Sequence, residues 1–181
     1  MRAGLLWFVV VLVVACGGTA PSLARATPSA PPTAMPTATC NPTQPNGDAP
    51  PGEDPGPGWY GNGRLYTGLW PNGEILATPS FVEADGSIGM KFPWWRAPGV
   101  GVAGDLRITG HEISSSASIR AVIPDGYGQR FQSSGIYFPM EGCYEITARS
   151  GDTSLVFVAK VTKVAKMPTP VPTAWSARPR G

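Results

Sequence analysis

The chain carries few residues able to do chemistry. Its candidate nucleophiles and metal ligands are one histidine, His111, three cysteines at 16, 40 and 143, the hydroxyl run Ser114-Ser115-Ser116, and scattered carboxylates. A structural zinc site closes with four nitrogen or sulfur ligands. One histidine with no cysteine pair at ligand spacing therefore predicts no metal site, and His111, next to Glu112, reads as an exposed residue at a strand end. The serine run reads as a polar loop, because no Gly-x-Ser-x-Gly elbow accompanies it. Gly99-Val100-Gly101-Val102-Ala103-Gly104 lacks the Lys-Ser/Thr and the following helix of a phosphate loop, so it reads as a flexible connection between strands. Glu141 and Glu145 could lie near Glu112 or Asp125, but spacing along a chain does not give the separation that paired-carboxylate chemistry needs. No nucleophile, base and orienting group stand together. No catalytic residue and no cofactor follow, and the expectation is a protein that is not an enzyme.

The aromatics are more suggestive. Trp59, Tyr60, Tyr66, Trp70, Trp94, Trp95, Tyr127 and Tyr137 are many for a small domain. Most belong to a core, where aromatic side chains dominate the energetics. By alternation Trp95 points outward, and Trp59-Tyr60 stands at the domain edge. Trp95, Trp59 and Tyr60 are therefore the candidates for stacking on a sugar ring or gripping a protein. The competing reading places Trp95 under a loop or against a second apolar face.

The amino terminus explains one cysteine. Met1-Arg2-Ala3 brings a single positive charge, and residues 4–14 are continuously apolar. A membrane-spanning helix needs about 20 such residues, whereas this length suits the apolar region of a secretory signal. Val13-Val14-Ala15-Cys16-Gly17 resembles the bacterial lipobox. That resemblance implies a diacylglyceryl group on the Cys16 thiol, cleavage before Cys16, and often acylation of the new amine. The alternative is an ordinary signal peptide with a chance cysteine behind it. Acyl chains gain about 0.8 kcal/mol per buried methylene, so two or three hold firmly. The expected partner is a membrane reached through the lipid anchor, and the expected location is the extracytoplasmic face of the cell membrane.

Cys40 and Cys143 remain, in a compartment where disulfides persist. The stretch between Cys40 and Trp59 can reach more than ~50 Å at about 3.3 Å per residue, so a Cys40–Cys143 bond is geometrically easy. Two free thiols are the alternative.

Composition divides the chain. Residues 1–15 are the signal. Residues 16–58 hold the lipidated cysteine and a Pro/Thr-rich tether, expected to be disordered, with no aromatic residue after Cys16 and only Leu23 and Met35 as large aliphatics. Such a segment buries too little apolar surface to offset ordering. Residues 59–166 form the folded part, and residues 167–181 a frayed Pro-containing tail. Net charge is +2, with no basic run, which argues against nucleic-acid binding.

Within 59–166 the signals are those of strands, expected at 65–70, 74–78, 88–95, 105–109, 118–123, 131–138, 143–149 and 155–164. Pro71-Asn72-Gly73 predicts a hairpin between the first two. Asp85-Gly86, Pro124-Asp125-Gly126 and Ser150-Gly151-Asp152 mark further turns. Alternation turns Met90, Phe92 and Trp94 inward with Tyr144, Ile146 and Ala148. Seven or eight short strands imply an all-β fold, best matched in size by an Ig-like antiparallel β-sandwich.

Phe138-Pro139-Met140-Glu141-Gly142-Cys143-Tyr144-Glu145 resembles the penultimate strand of Ig-like bacterial domains, where a turn leads into a strand whose inward Tyr packs at the corner. More narrowly, Cys40-Asn41-Pro42-Thr43, Tyr60-Gly61-Asn62-Gly63, Gly68-Leu69-Trp70-Pro71-Asn72-Gly73, Lys91-Phe92-Pro93-Trp94-Trp95-Arg96 and Gly142-Cys143-Tyr144-Glu145 resemble a group of uncharacterised bacterial lipoproteins with a C-terminal Ig-like domain. The resemblance covers residues 40–166 and brings no established activity. Two readings of function follow. One is a membrane-anchored extracytoplasmic lipoprotein presenting an Ig-like interaction module to a protein. The other is a carbohydrate- or cell-wall-binding module using exposed aromatics. Oligomeric state stays open.

Overall fold

The structure is a computed structural model that describes residues 39–102 and 104–168. The signal, Cys16, the tether up to residue 38 and the tail from residue 169 lie outside the described residues. Nine strands run in order: β1 Trp59–Gly61, β2 Leu65–Gly68, β3 Glu74–Ala77, β4 Ile88–Arg96, β5 Arg107–Glu112, β6 Arg120–Val122, β7 Phe131–Phe138, β8 Gly142–Ser150 and β9 Thr153–Lys163. They form a five-stranded sheet, β1-β2-β4-β7-β6, and a four-stranded sheet, β3-β9-β8-β5. Among the described residues no helix is long and apolar enough to cross a membrane.

Alternation builds the core as expected. On β4, Ile88, Met90, Phe92 and Trp94 are buried, and on β8 and β9 so are Tyr144, Ile146, Ala148, Leu155, Phe157, Ala159 and Val161. A strand's side chains alternate between its faces, so each strand gives one row to the shared interior. Phe92, Trp94 and Phe157 meet across that interior with centroids 5.9–6.3 Å apart. The Trp94 indole N–H is satisfied by Ser134 Oγ at 2.9 Å, as a buried donor requires.

The strand order β2-β4-β7-β6 facing β9-β8-β5 is that of an Ig-like sandwich. The three hairpins that stay within a sheet are β1–β2, β6–β7 and β8–β9. The other long connections cross between sheets. The Tyr144 hydroxyl donates to the Met140 carbonyl at 2.9 Å, the tyrosine corner of this architecture.

Three expectations are corrected. First, there is no hairpin at Pro71-Asn72-Gly73. Strand β2 pairs with β4, whereas β3 pairs in parallel with β9 in the other sheet. The turn passes the chain between layers, so Leu65 and Ile75 both reach one core from opposite sheets. A Cβ at Gly73 would collide with the Thr43 carbonyl oxygen, so close backbone approach is what this glycine serves.

Second, β1 was not expected. At three residues it is too short to carry a period.

Third, residues 40–58 are not free tether. β3 pairs with β9 only from Lys160 to Lys163, leaving the earlier edge of β9 with unpartnered backbone groups, and such groups need partners. Thr43 supplies both a donor to the Val158 carbonyl and a hydroxyl acceptor for its N–H, each at 2.8 Å. The Tyr60 hydroxyl caps the Val156 carbonyl at 3.0 Å, and Asn62 Nδ2 the Ser154 carbonyl at 2.9 Å. Asn46 exchanges two bonds with Gly61, and Asp48 accepts from the Gly63 N–H. Cys40 is bonded to Cys143. The segment is held by polar pairing and a covalent bond, neither of which composition reveals.

A candidate binding face on the five-stranded sheet

The outward row of the five-stranded sheet begins in aromatic side chains. Tyr66 of β2, Trp95 of β4 and Phe131 of β7 are register partners. Trp95 meets Trp59 edge-on at 4.8 Å on one side and Phe131 at 4.9 Å on the other. Trp59 Nε1 donates to the Asp54 carbonyl at 3.1 Å. Trp95 is therefore clamped between rings, and Trp59 is tied to the packed 40–58 segment. Tyr60 caps β9 while its ring leans on Phe157 at 6.2 Å. All three stacking candidates are half-buried; they hold the amino-terminal segment against the sandwich, the role of a packed aromatic under a loop.

Further along the same face the side chains become small. Gly89 lies opposite Tyr137 and Lys91 opposite Gly135, with Pro93 opposite Ser133. The result is a trough of about 330 Å³ floored by Gly89, Ser133 and Gly135, inside the size range of small-ligand sites. Tyr137 lies across the two glycines: a Cβ at Gly89 or at Gly135 would come within 3.1–3.2 Å of its ring. Its other side is covered by the Arg120 guanidinium, 3.7 Å from the ring centroid, a cation–π contact. Lys91, Glu83, Val122 and Tyr127 stand at the rim. Val122 is 43% exposed and Tyr127 38%.

The other polar clusters serve the fold. Arg96 is only 2% exposed and bonds Asp105 at 3.0 Å. It also donates to the Val102 and Gly128 carbonyls. Asp105 accepts further from Ser150 Oγ and the Val102 and Gly151 N–H groups. Burial pushes the Asp105 carboxyl up, but these hydrogen bonds and the Arg96 charge outweigh it and hold the group below its ordinary value. The ion pair thus staples the 97–105 connection to the β8–β9 hairpin. Glu112 is buried and likewise held low, burial being overcome by hydrogen bonds from Ser114 and Ser115. The serine run is thereby a carboxylate-capped turn. His111 is exposed on β5 opposite Glu145. Among the described residues no group of three or more His, Cys, Asp or Glu is placed to hold a metal.

The structure brings Cys40 and Cys143 together with Cα atoms 5.7 Å apart. Cys16 lies outside the described residues. The trough went unread in the sequence because its residues come from β4, the β6–β7 region and the loop between them. The one local sign was the pairing of small residues with aromatics, Gly89 and Gly135 with Tyr137. Comparison with protein-family models and with curated proteins found no match.

Proposed function

We propose that the protein is a lipid-anchored extracytoplasmic binding module, fastened through Cys16 and presenting the outer face of its five-stranded sheet to a partner. The observation that carries this reading is the trough on that face. It combines exposed apolar groups with charged and hydroxyl groups on a rigid sheet, the mixture typical of recognition sites. The Cys40–Cys143 bond supports an oxidising compartment, in agreement with the signal and lipobox resemblance at residues 1–17. Among the described residues the buried charges are Arg96 and Glu112, and both, with the partly buried Asp105, are committed to structural hydrogen bonds.

The anchor is tested by metabolic labelling with a palmitate analogue, followed by cell fractionation. Wild type is expected to carry label and to sediment with membranes. Cys16→Ser is expected to lose the label and leave the membrane fraction. An unlabelled wild-type chain with residues 1–15 still attached overturns the anchored reading.

A further inference from the structure

The trough is selective about its occupant. Strands β4 and β7 are paired along the floor, so no open backbone edge is available there for strand addition by a peptide. Lys91 is the rim's available cation, since Arg120 is stacked on Tyr137, and Glu83 lines the same trough beside Gly89. That balance disfavours phosphate-bearing ligands, which need clustered positive charge. What remains is a neutral ligand with a flat apolar face and a hydrogen-bonding rim, the shape of a pyranose ring. Gly89 and Gly135 leave room for the Tyr137 ring that lies across them, so what a ligand meets on the floor is that ring and Ser133. Val122 and Tyr127 offer apolar contact, and Glu83, Lys91 and the Ser133 hydroxyl offer donors and acceptors.

Tyr127 is placed for stacking. Its loop is pinned on both sides, Gln132 Nε2 donating to the Pro124 carbonyl at 2.8 Å and Arg96 to the Gly128 carbonyl at 3.3 Å. Between those points Tyr127 is flanked by Gly126 and Gly128, where an added Cβ would meet nothing within 4 Å. Neither glycine is demanded by packing, though Gly126, at φ +91°, takes a backbone conformation that L side chains rarely adopt. Phe131 supports it edge-on at 5.5 Å.

We infer that the trough on the outer face of the five-stranded sheet binds a neutral oligosaccharide, with one pyranose ring stacked by Tyr127 and bonded by Glu83, Lys91 and Ser133. This rests on the binding-module reading and moves the glycan contact away from Trp95, Trp59 and Tyr60.

The test is calorimetric titration of the detergent-purified full chain with an N-acetylglucosamine tetramer and with cellotetraose. Saturable binding of at least one is expected. Tyr127→Ala should weaken it about tenfold, the scale of losing one ring contact. Tyr127→Phe should stay within about twofold, because the stacking surface is kept. Met140→Ala, an exposed change outside the trough, should leave affinity as in wild type, and circular dichroism should show every variant folded. Absence of saturable binding by both probes at about 10 mM overturns the inference, as does binding that Tyr127→Ala leaves intact. A protein captured on cells by a photoreactive residue at position 122, with neither glycan bound, overturns the glycan while leaving the binding module in place.

Discussion

Replacing both Cys40 and Cys143 by serine removes a bond that joins residues 103 apart. In the chain-entropy account, a closed loop of that length costs the unfolded state about 16 cal/mol/K, or roughly 4.7 kcal/mol at 25 °C. This is a ceiling, because real unfolded chains are compact and strain offsets part of the gain; losses of about 2–5 kcal/mol are usual for native disulfides. For a domain of this size each kcal/mol moves the melting temperature by about 3–4 °C, so the double variant should melt roughly 6–20 °C lower. The comparison belongs in a Cys16→Ser background, so that no third thiol exchanges with the pair. Thermal and urea unfolding by circular dichroism give the magnitude, and the same experiment on the parent chain with reductant should reproduce it. Thr43, Asn46 and Asp48 keep their hydrogen bonds to the sandwich without the disulfide. The variant should therefore fold to the same structure and lose amide protection globally, in proportion to the lost stability. A fall below about 1 kcal/mol would refute the entropic reasoning. So would deprotection confined to the Thr43 and Val158 amides, which would mean that the bond acts only on its own neighbourhood.

Two further outcomes concern the Arg96–Asp105 staple. At Gly101, where φ is +58°, an added Cβ would collide with the Asp105 carboxylate and Ser150 Oγ. Gly101→Ala should cost about 2–4 kcal/mol in urea unfolding, whereas Gly99→Ala, with positive φ but open space, should cost only the backbone strain of about 1 kcal/mol; equal costs would show that the collision is relieved freely. Asp105→Asn leaves the buried Arg96 without its counter-charge and should cost about 2 kcal/mol at pH 7. Because the folded-state pKa of Asp105 is lowered, its contribution is present above the unfolded carboxylate value near 4 and is lost as pH falls through the lower folded value. Melting temperature against pH should therefore fall less steeply below about pH 5 in Asp105→Asn than in the parent, and parallel curves would sink that assignment.

Much of the sandwich is written locally. The alternation of Met90, Phe92 and Trp94, and of Tyr144, Ile146 and Ala148, places one row of each strand in the core, because a strand's side chains alternate whatever its neighbours are. Gly151-Asp152 closes the β8–β9 hairpin for the same local reason. Asn72-Gly73 misleads because turn chemistry specifies a reversal and not the sheet that receives the next strand. That choice is made by β9, whose free edge takes β3 in parallel.

The candidate site divides along the same line. Outward orientation of Trp95 is a property of its own strand and follows from sequence. Whether an outward ring meets solvent or another ring depends on what lies beside it, and here Trp59 and Phe131 arrive from different strands. Residues 40–58 have the composition of a spacer, and their ordering comes from an unpaired β9 edge and a cysteine far along the chain. The trough, too, exists only once Gly89, Lys91, Ser133 and Gly135 are brought into register. The amino-acid sequence by itself determined eight of the nine strands, their inward faces and the two cysteines available for bonding, since each is settled by neighbouring residues or by counting. Tertiary structure alone decided sheet membership, the fate of the 40–58 segment and the binding face, since these depend on backbone edges and side chains brought together from distant parts of the chain.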